Sequence, residues 1–131
     1  MTSDRGARLA SVALLVLEYD AAIAFFVGGL GWTLTADLDQ GTKRWVTVQP
    51  PSGGAQLVLA RADTDAQTAA IGNQAGGRVW LFMHTDDFAR DHALLVAAGA
   101  QFEDSPRYEP YGTVAVWRDP WGNRWDLIEP C

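Results

Sequence analysis

One arrangement of elements occurs twice in this sequence, and the repeat constrains the fold more than any other feature. Each half reads as strand, helix, strand, strand, strand. The two predicted helices end at Leu30-Gly31 and at Ala98-Gly99. The last strand of the first half is Leu57 to Ala60, and the last strand of the second half is Trp125 to Ile128. Matching positions lie roughly 68 residues apart, about half of the chain, as expected of an internal repeat.

Composition limits the class of protein and its partners. The 131 residues suit one domain, 48% of them are hydrophobic, and the net charge is −6. This acidic balance argues against binding nucleic acid or an anionic membrane surface, because both depend on basic residues. No apolar run approaches the ~20 residues needed to span a bilayer. The one cysteine, Cys131, cannot form an intrachain disulfide, and we therefore expect a cytoplasmic protein.

The repeat predicts an α+β fold. A four-stranded sheet with one helix leaves its other face uncovered, and two such sheets can curl around a shared interior. We therefore expect a single domain over residues 1–131, with module one at about 8–62 and module two at about 77–130. The two βαβββ modules should form an open eight-stranded barrel-like sheet with a central cavity. A homodimer is expected as well, since exposed edges of open sheets tend to be covered.

Strand alternation predicts which side chains face the cavity. In the fifth strand, Trp80, Phe82 and His84 share one face, and the aliphatic set opposite them should face the helix. Asp126 and Ser11 should face the cavity too. Aromatic rings suit a planar or cationic ligand, and a carboxylate suits a positive charge or a hydroxyl. The predicted ligand-binding residues are Trp80, Phe82, His84, Asp126, Gln56, Tyr111, Trp117 and Glu109.

Several of these residues also have a purely structural interpretation. Tryptophans of a small protein commonly fill its core, which we expect of Trp32 and Trp125. His84 could be a hydrogen-bonded residue at a strand end, and Asp126 could form a structural ion pair. Trp121, in the last turn, is expected to be exposed or to form a subunit contact.

The chain resembles the glyoxalase/bleomycin-resistance/extradiol-dioxygenase superfamily, the vicinal oxygen chelate proteins. The resemblance rests on the doubled module, on Glu18-Tyr19-Asp20-Ala-Ala-Ile-Ala-Phe-Phe closing on Leu30-Gly31-Trp32, and on Asp119-Pro120-Trp121-Gly122-Asn123-Arg-Trp-Asp126. It covers nearly the whole chain and implies the fold described above. It leaves the function open, because one fold hosts many chemistries.

The resemblance also implies where a metal ion would bind. In metal-dependent members, four inward positions supply two histidines and two carboxylates, and the metal acts as a Lewis acid. These positions fall on Ser11, on or near Val58, on Trp80 and on Asp126, with Gln56 on the face of Val58. Only Asp126 has the chemistry of a metal ligand, so we expect no metal ion and no other cofactor at the usual site.

Three functions remain open from the sequence. The first is a metal-independent protein that binds an aromatic or cationic small molecule, similar to the drug-sequestering branch of the family. The second is a divergent lyase, isomerase or dioxygenase that uses a divalent metal ion, or His84 and Asp126 as a catalytic acid–base pair. The third is a subunit without a ligand, whose tryptophans form an interface.

Overall fold

The strands of the two halves form two separate sheets. A computed structural model describes residues 5–131 of the chain. The first sheet has the order β1-β4-β3-β2, with β1 and β4 parallel and the other pairs antiparallel. Its strands are β1 (Ser11–Val16), β2 (Thr33–Asp39), β3 (Arg44–Gln49) and β4 (Gln56–Arg61).

The second sheet repeats this plan with one additional strand. Its order is β5-β9-β8-β6, β7 also pairs with β8, and β5 and β9 are parallel. Its strands are β5 (Val79–His84), β6 (Gln101–Phe102), β7 (Arg107–Glu109), β8 (Gly112–Arg118) and β9 (Arg124–Pro130). The short strand β7 is the one that a repeat of four strands per half does not predict.

One helix crosses each half, and a third lies in the link between them. These are α1 (Tyr19–Ile23), which continues as a π-helical segment (Ala24–Gly29), α2 (Asp65–Ala70) and α3 (Phe88–Ala98). Gly31 and Gly99 follow the two longer helical segments with φ of +75° and +102°, a conformation that glycine adopts without a steric penalty. The predicted α+β class is confirmed, and the sheets of the described chain stay open rather than closing into a barrel.

Alternation along the strands directs one face of each sheet into a common core. Leu14 and Val16 of β1 are fully buried, as are Leu59 of β4 and Leu127 of β9. All of them belong to one hydrophobic cluster that also contains residues of α3. The opposite face of each sheet is therefore the face on which a ligand site could lie.

Aromatic side chains of the first helical segment join the two halves. Phe25 lies 6.4 Å from Trp117, and Phe26 lies 6.3 Å from Trp125, between ring centres. Trp121 stacks on Phe26 at 5.9 Å with an interplanar angle of 13°. Trp121 is therefore partly buried against the core rather than fully exposed, because its indole covers the side chains that hold the modules together.

The Asp119-Pro120-Trp121-Gly122-Asn123 turn is organised by one buried carboxylate. Asp119 is only 4% exposed. Its Oδ1 accepts hydrogen bonds from the backbone N–H groups of Trp121, Gly122 and Asn123 at 2.9–3.0 Å. Its Oδ2 accepts from Asn123 Nδ2 at 3.0 Å and from Trp125 Nε1 at 2.9 Å. The motif is therefore a structural device that fixes the start of β9.

In residues 5–131, the helices are too short or too polar for any of them to cross a bilayer.

Candidate functional site

The open face of the second sheet, which points away from the core, gathers several of the predicted site residues. Pairing places Phe82 of β5 and Val116 of β8 on either side of Asp126, in the centre of the sheet. One pair further along, His84 and Val114 flank Ile128 in the same way. We call this surface the open face; it consists of Phe82, His84, Val114, Val116, Asp126 and Ile128.

Asp126 is the chemically distinctive group of the open face. Its carboxylate is partly buried, and Oδ1 is buried without a hydrogen-bond partner among the described residues. Burial is the main cause that raises the pKa of Asp126 above its ordinary value, and the nearby Asp104 carboxylate adds to it. Arg107 and Arg124 act in the opposite direction but do not cancel the effect of burial.

The two arginines near Asp126 are engaged elsewhere. Arg107 donates to Asp104 at 3.0 Å and lies 3.4 Å from a carboxylate oxygen of Glu109. Arg124 holds Glu103 with two hydrogen bonds of 2.8 and 2.9 Å. The positive charges are therefore shared with other carboxylates, and Asp126 is left with free hydrogen-bonding capacity.

Aromatic surface lies beside this carboxylate. Phe82, directly opposite Asp126 across the β5–β9 pair, is 63% exposed. Trp80 is partly buried at an irregularity of β5 and lines a small hollow with Arg118 and Arg124. Tyr111, 55% exposed in the turn between β7 and β8, lies further away, at the end of β9, where its carbonyl oxygen accepts a hydrogen bond from the N–H of Cys131 at 3.1 Å. An exposed ring next to a carboxylate without a partner is a suitable site for an aromatic molecule with a donor group.

Two of the predicted residues lie elsewhere. Trp117 is fully buried in the core and stacks on Trp125 at 4.7 Å, so its prediction as a ligand contact is wrong. The reason is alternation, because Val116 takes the open face and Trp117 the other one. Gln56 lies on the corresponding face of the first sheet, where its side chain accepts a hydrogen bond from Thr35.

The residues at the family's metal positions do not fit a divalent ion. Ser11 and Val58 lie in the first sheet, while Trp80 and Asp126 lie in the second. Within residues 5–131, no three His, Cys, Asp or Glu side chains come together in a way that could hold a metal. A hydroxyl, an isopropyl group and an indole do not provide the nitrogen and carboxylate ligands that such an ion requires.

A separate cavity of about 860 Å³ lies between the two halves. Phe82 and His84 line it, because β5 is an edge strand and both of its faces reach the cavity. Asp126 does not line it. A central cavity between the modules was predicted, but of the eight residues assigned to it only Phe82 and His84 line this one, because most of its walls are apolar residues whose character marks them as core.

The comparisons with known proteins identify the family. The sequence profile of the Glyoxalase/Bleomycin resistance protein/Dioxygenase superfamily matches residues 8–127. The chain belongs to this superfamily, as its sequence suggested.

Two solved structures and one relative are similar over almost the whole chain. The crystal structure of UcmS2 has a TM-score of 0.80 at 30% identity, covering 95% of this chain and 99% of that one. The crystal structure of TnmS3, an antibiotic binding protein from Streptomyces sp. CB03234, has a TM-score of 0.75 at 28% identity, covering 95% and 97%. An uncharacterized protein of Shewanella frigidimarina (strain NCIMB 400) is 50% identical over 121 residues, or 90% of each chain.

Removing the charge of Asp126 is expected to stabilise the free protein. A raised pKa in the folded state means that stability falls as the pH rises from the ordinary value of about 3.9 through the folded-state pKa. Asp126→Asn keeps a polar group at this position but removes the charge, and it should raise the free energy of unfolding at pH 7 by no more than about 1 kcal/mol, because solvent screens part of the cost of burying the charge. Urea unfolding of both proteins from pH 3 to pH 8 measures this, and a difference that is absent at pH 7 would contradict the account.

Proposed function

We propose that the chain is a cytoplasmic protein that binds an aromatic small molecule carrying a cationic or hydrogen-bond-donating group. The observation that supports this most strongly is the Oδ1 atom of Asp126, which is buried without a partner beside the exposed ring of Phe82. A carboxylate in this position is unfavourable in the free protein and gains a partner when a ligand donates a hydrogen bond to it. The exposed Cys131, which has no disulfide partner, agrees with a reducing compartment.

The ring of Phe82 and the carboxylate of Asp126 would hold different parts of the ligand. The ring of Phe82 provides a flat apolar surface, and Asp126 fixes the orientation by a charge-assisted hydrogen bond. Glu109, which pairs with Gly112 of β8, and Tyr111 in the turn between them are proposed as contacts at the rim. Trp80 is proposed to extend the aromatic surface next to Arg124.

Relatives and chemistry support binding rather than metal-dependent catalysis. TnmS3, which shares the fold and 28% of the sequence, is described as an antibiotic binding protein. Sequestration of a small molecule requires affinity alone and no stabilisation of a transition state. The side chains at the positions of the family's metal ligands, three of which lack suitable donors, are compatible with such a role.

We also propose that a second copy of the chain completes the site. The first sheet also has an open face, the one opposite to the buried Val46 and Val48, and on it Leu38 and its cross-strand partner Trp45 are 58% and 43% exposed. An apolar pair of this kind favours an intermolecular contact. If the two open faces meet in a homodimer, Gln56 of one copy comes to the side of the sheet that carries Asp126 of the other.

The homodimer is tested by a charge on this apolar pair. Trp45→Glu should raise the dissociation constant of the dimer at least tenfold, since a carboxylate would be desolvated in the contact. Tyr108→Glu is the control, because Tyr108 is also exposed but pairs with Thr113 of β8, so that its side chain lies on the face opposite to the open face. Light scattering at micromolar concentration should give about twice the 14.2 kDa of one chain for the wild type and for this control. A wild-type protein with the mass of a single chain contradicts the dimer.

The ligand class is tested by calorimetric titration of the wild-type protein with two flat probes. Proflavine is a planar aromatic cation, and anthraquinone-2-sulfonate is a planar aromatic anion. We expect saturable binding of proflavine and at least tenfold weaker binding of the anion, because Asp126 repels it. Equal affinity for both probes, or no binding of the cation, would overturn the proposal.

A further inference from the structure

The two halves of the chain fill equivalent spaces with side chains of very different size. Phe25 lies six residues after Tyr19, where α1 begins. Leu94 likewise lies six residues after Phe88, where α3 begins. The turns that lead into β9 and β4 correspond in the same way. Trp121 lies three residues before the start of β9, and Gly53 lies three residues before the start of β4. The structural repeat therefore places Leu94 and Gly53 where the other half has two aromatic rings.

At one of these places, between the first helical segment and the turn before β9, aromatic rings fill the space. Trp121 stacks on Phe26 and meets Phe25 edge-on at 5.9 Å and 87°. Both phenylalanines also contact tryptophans of the second sheet, Trp117 and Trp125. Helix and turn are joined by ring contacts, so that little room is left between them.

At the equivalent place, between α3 and the turn before β4, lies the cavity of about 860 Å³. Leu94 and Gly53 line it. Its remaining walls are largely apolar, and they include Val12, Trp32, Leu57, Leu81, Met83 and Trp125. The volume lies within the range of cavities that bind small molecules, and the lining is of the kind found in them.

We propose that this cleft is a second binding site, which takes an uncharged flat aromatic molecule in place of the missing rings. Leu81 and Met83, which are only partly buried, provide apolar surface on which such a molecule can pack, and the indole of Trp125 lies in the same wall. Charged groups occur where α3 begins, but they are paired with one another. Arg90 lies 2.7 Å from Asp86 and 3.1 Å from Asp91, so its charge is not free to hold an anionic ligand.

This site shares Phe82 and His84 of the edge strand β5 with the open face, but it does not include Asp126. Its lining comes largely from the core side of both sheets, including Leu57 and Leu81, whereas Asp126 points to the other side. Variants of Leu94 and of Asp126 should therefore affect different ligands. Leu94 is 40% exposed, so that a larger side chain at this position can enter the cleft without displacing a fully buried residue.

The test uses prodan, an uncharged naphthalene dye whose fluorescence reports binding to an apolar site. The wild type should bind one prodan per chain with quenching of tryptophan fluorescence. Leu94→Trp should weaken this binding at least tenfold, and Leu94→Phe, which introduces the residue of the other half, should weaken it less. Leu94→Met, which conserves volume, and Asp126→Asn should leave the affinity within a factor of two.

Each outcome decides the proposal. An affinity that is unchanged in Leu94→Trp, or lost in Asp126→Asn, would overturn it. A change in the mass of the particle in solution caused by Leu94→Trp would show that a second copy of the chain, rather than a small molecule, occupies the cleft. If Leu94→Trp does not fold, as judged by its thermal transition, the comparison of Leu94→Phe with Leu94→Met decides in its place.

Discussion

Replacement of Asp119 by alanine is expected to lower the free energy of unfolding by about 4 kcal/mol, because it leaves several buried donors without an acceptor. The lost acceptor serves three backbone N–H groups, the amide of Asn123 and the indole N–H of Trp125. Water can reach some of these groups after the change, so the loss stays below the sum of five separate penalties. Urea unfolding followed by tryptophan fluorescence measures it.

Asp39 offers a matched control for this prediction. Its carboxylate also accepts a hydrogen bond in a turn, but only one, from the backbone N–H of Gly41 at 2.9 Å in an exposed hairpin. Asp39→Ala should therefore cost less than about 1 kcal/mol. Equal losses in the two variants would mean that the hydrogen bonds of Asp119 do not carry the stability assigned to the turn.

The second large effect concerns the ligand. Asp126→Asn should weaken the binding of proflavine at least tenfold at pH 7.5, because a charge-assisted hydrogen bond is replaced by a neutral one. Affinity of the wild type should fall as the pH is lowered through the raised pKa of Asp126, since protonation removes the negative charge. The asparagine variant should lack this part of the pH dependence. Calorimetric titration between pH 4 and pH 8 measures both effects.

Asp86→Asn separates a specific contact from general charge. It removes the same charge from an exposed position before α3, and it should leave the affinity within a factor of two. Proflavine binding that is equally weak in both variants would show that the net charge of the chain, rather than the position of Asp126, attracts the cation.

Strand alternation alone was sufficient to place part of the candidate site. Phe82 and His84 lie on the face of Asp126 because the side chains of a strand alternate, and this pattern is visible in the letters of the sequence. The same rule puts Trp117 on the face of Ala115, which belongs to the core cluster, whereas Val114 and Val116, although buried, lie on the face of Asp126. The prediction for Trp117 followed its aromatic character instead and was wrong.

Other features depend on how the two halves pack, which alternation does not describe. Trp121 reads as a turn residue, and only the packing of the first helix on the second sheet explains why its ring contacts Phe25 and Phe26. The cleft has a weak signal, namely Leu94 and Gly53 at positions where the other half carries aromatic residues. This difference between the halves can be recognised in the sequence when the two halves are aligned element by element.

The extra residue of the first helix explains why the spacing of the repeat changes along the chain. From Tyr19 to Gly31 the first half has one residue more than the second has from Phe88 to Gly99, and the first helix contains the π-helical segment. A π-helical turn accommodates an inserted residue without breaking the helix. Alignment with a single offset hides this difference.

The central claim, that Asp126 receives a cationic aromatic ligand, is tested most directly by the pKa of this carboxylate, measured by carbon NMR in the free protein and in saturating proflavine. The account predicts a pKa above the ordinary value of about 3.9 in the free protein and a clear decrease when proflavine binds, because a bound cation stabilises the charged form. A pKa of Asp126 that stays unchanged while the dye binds would contradict the account.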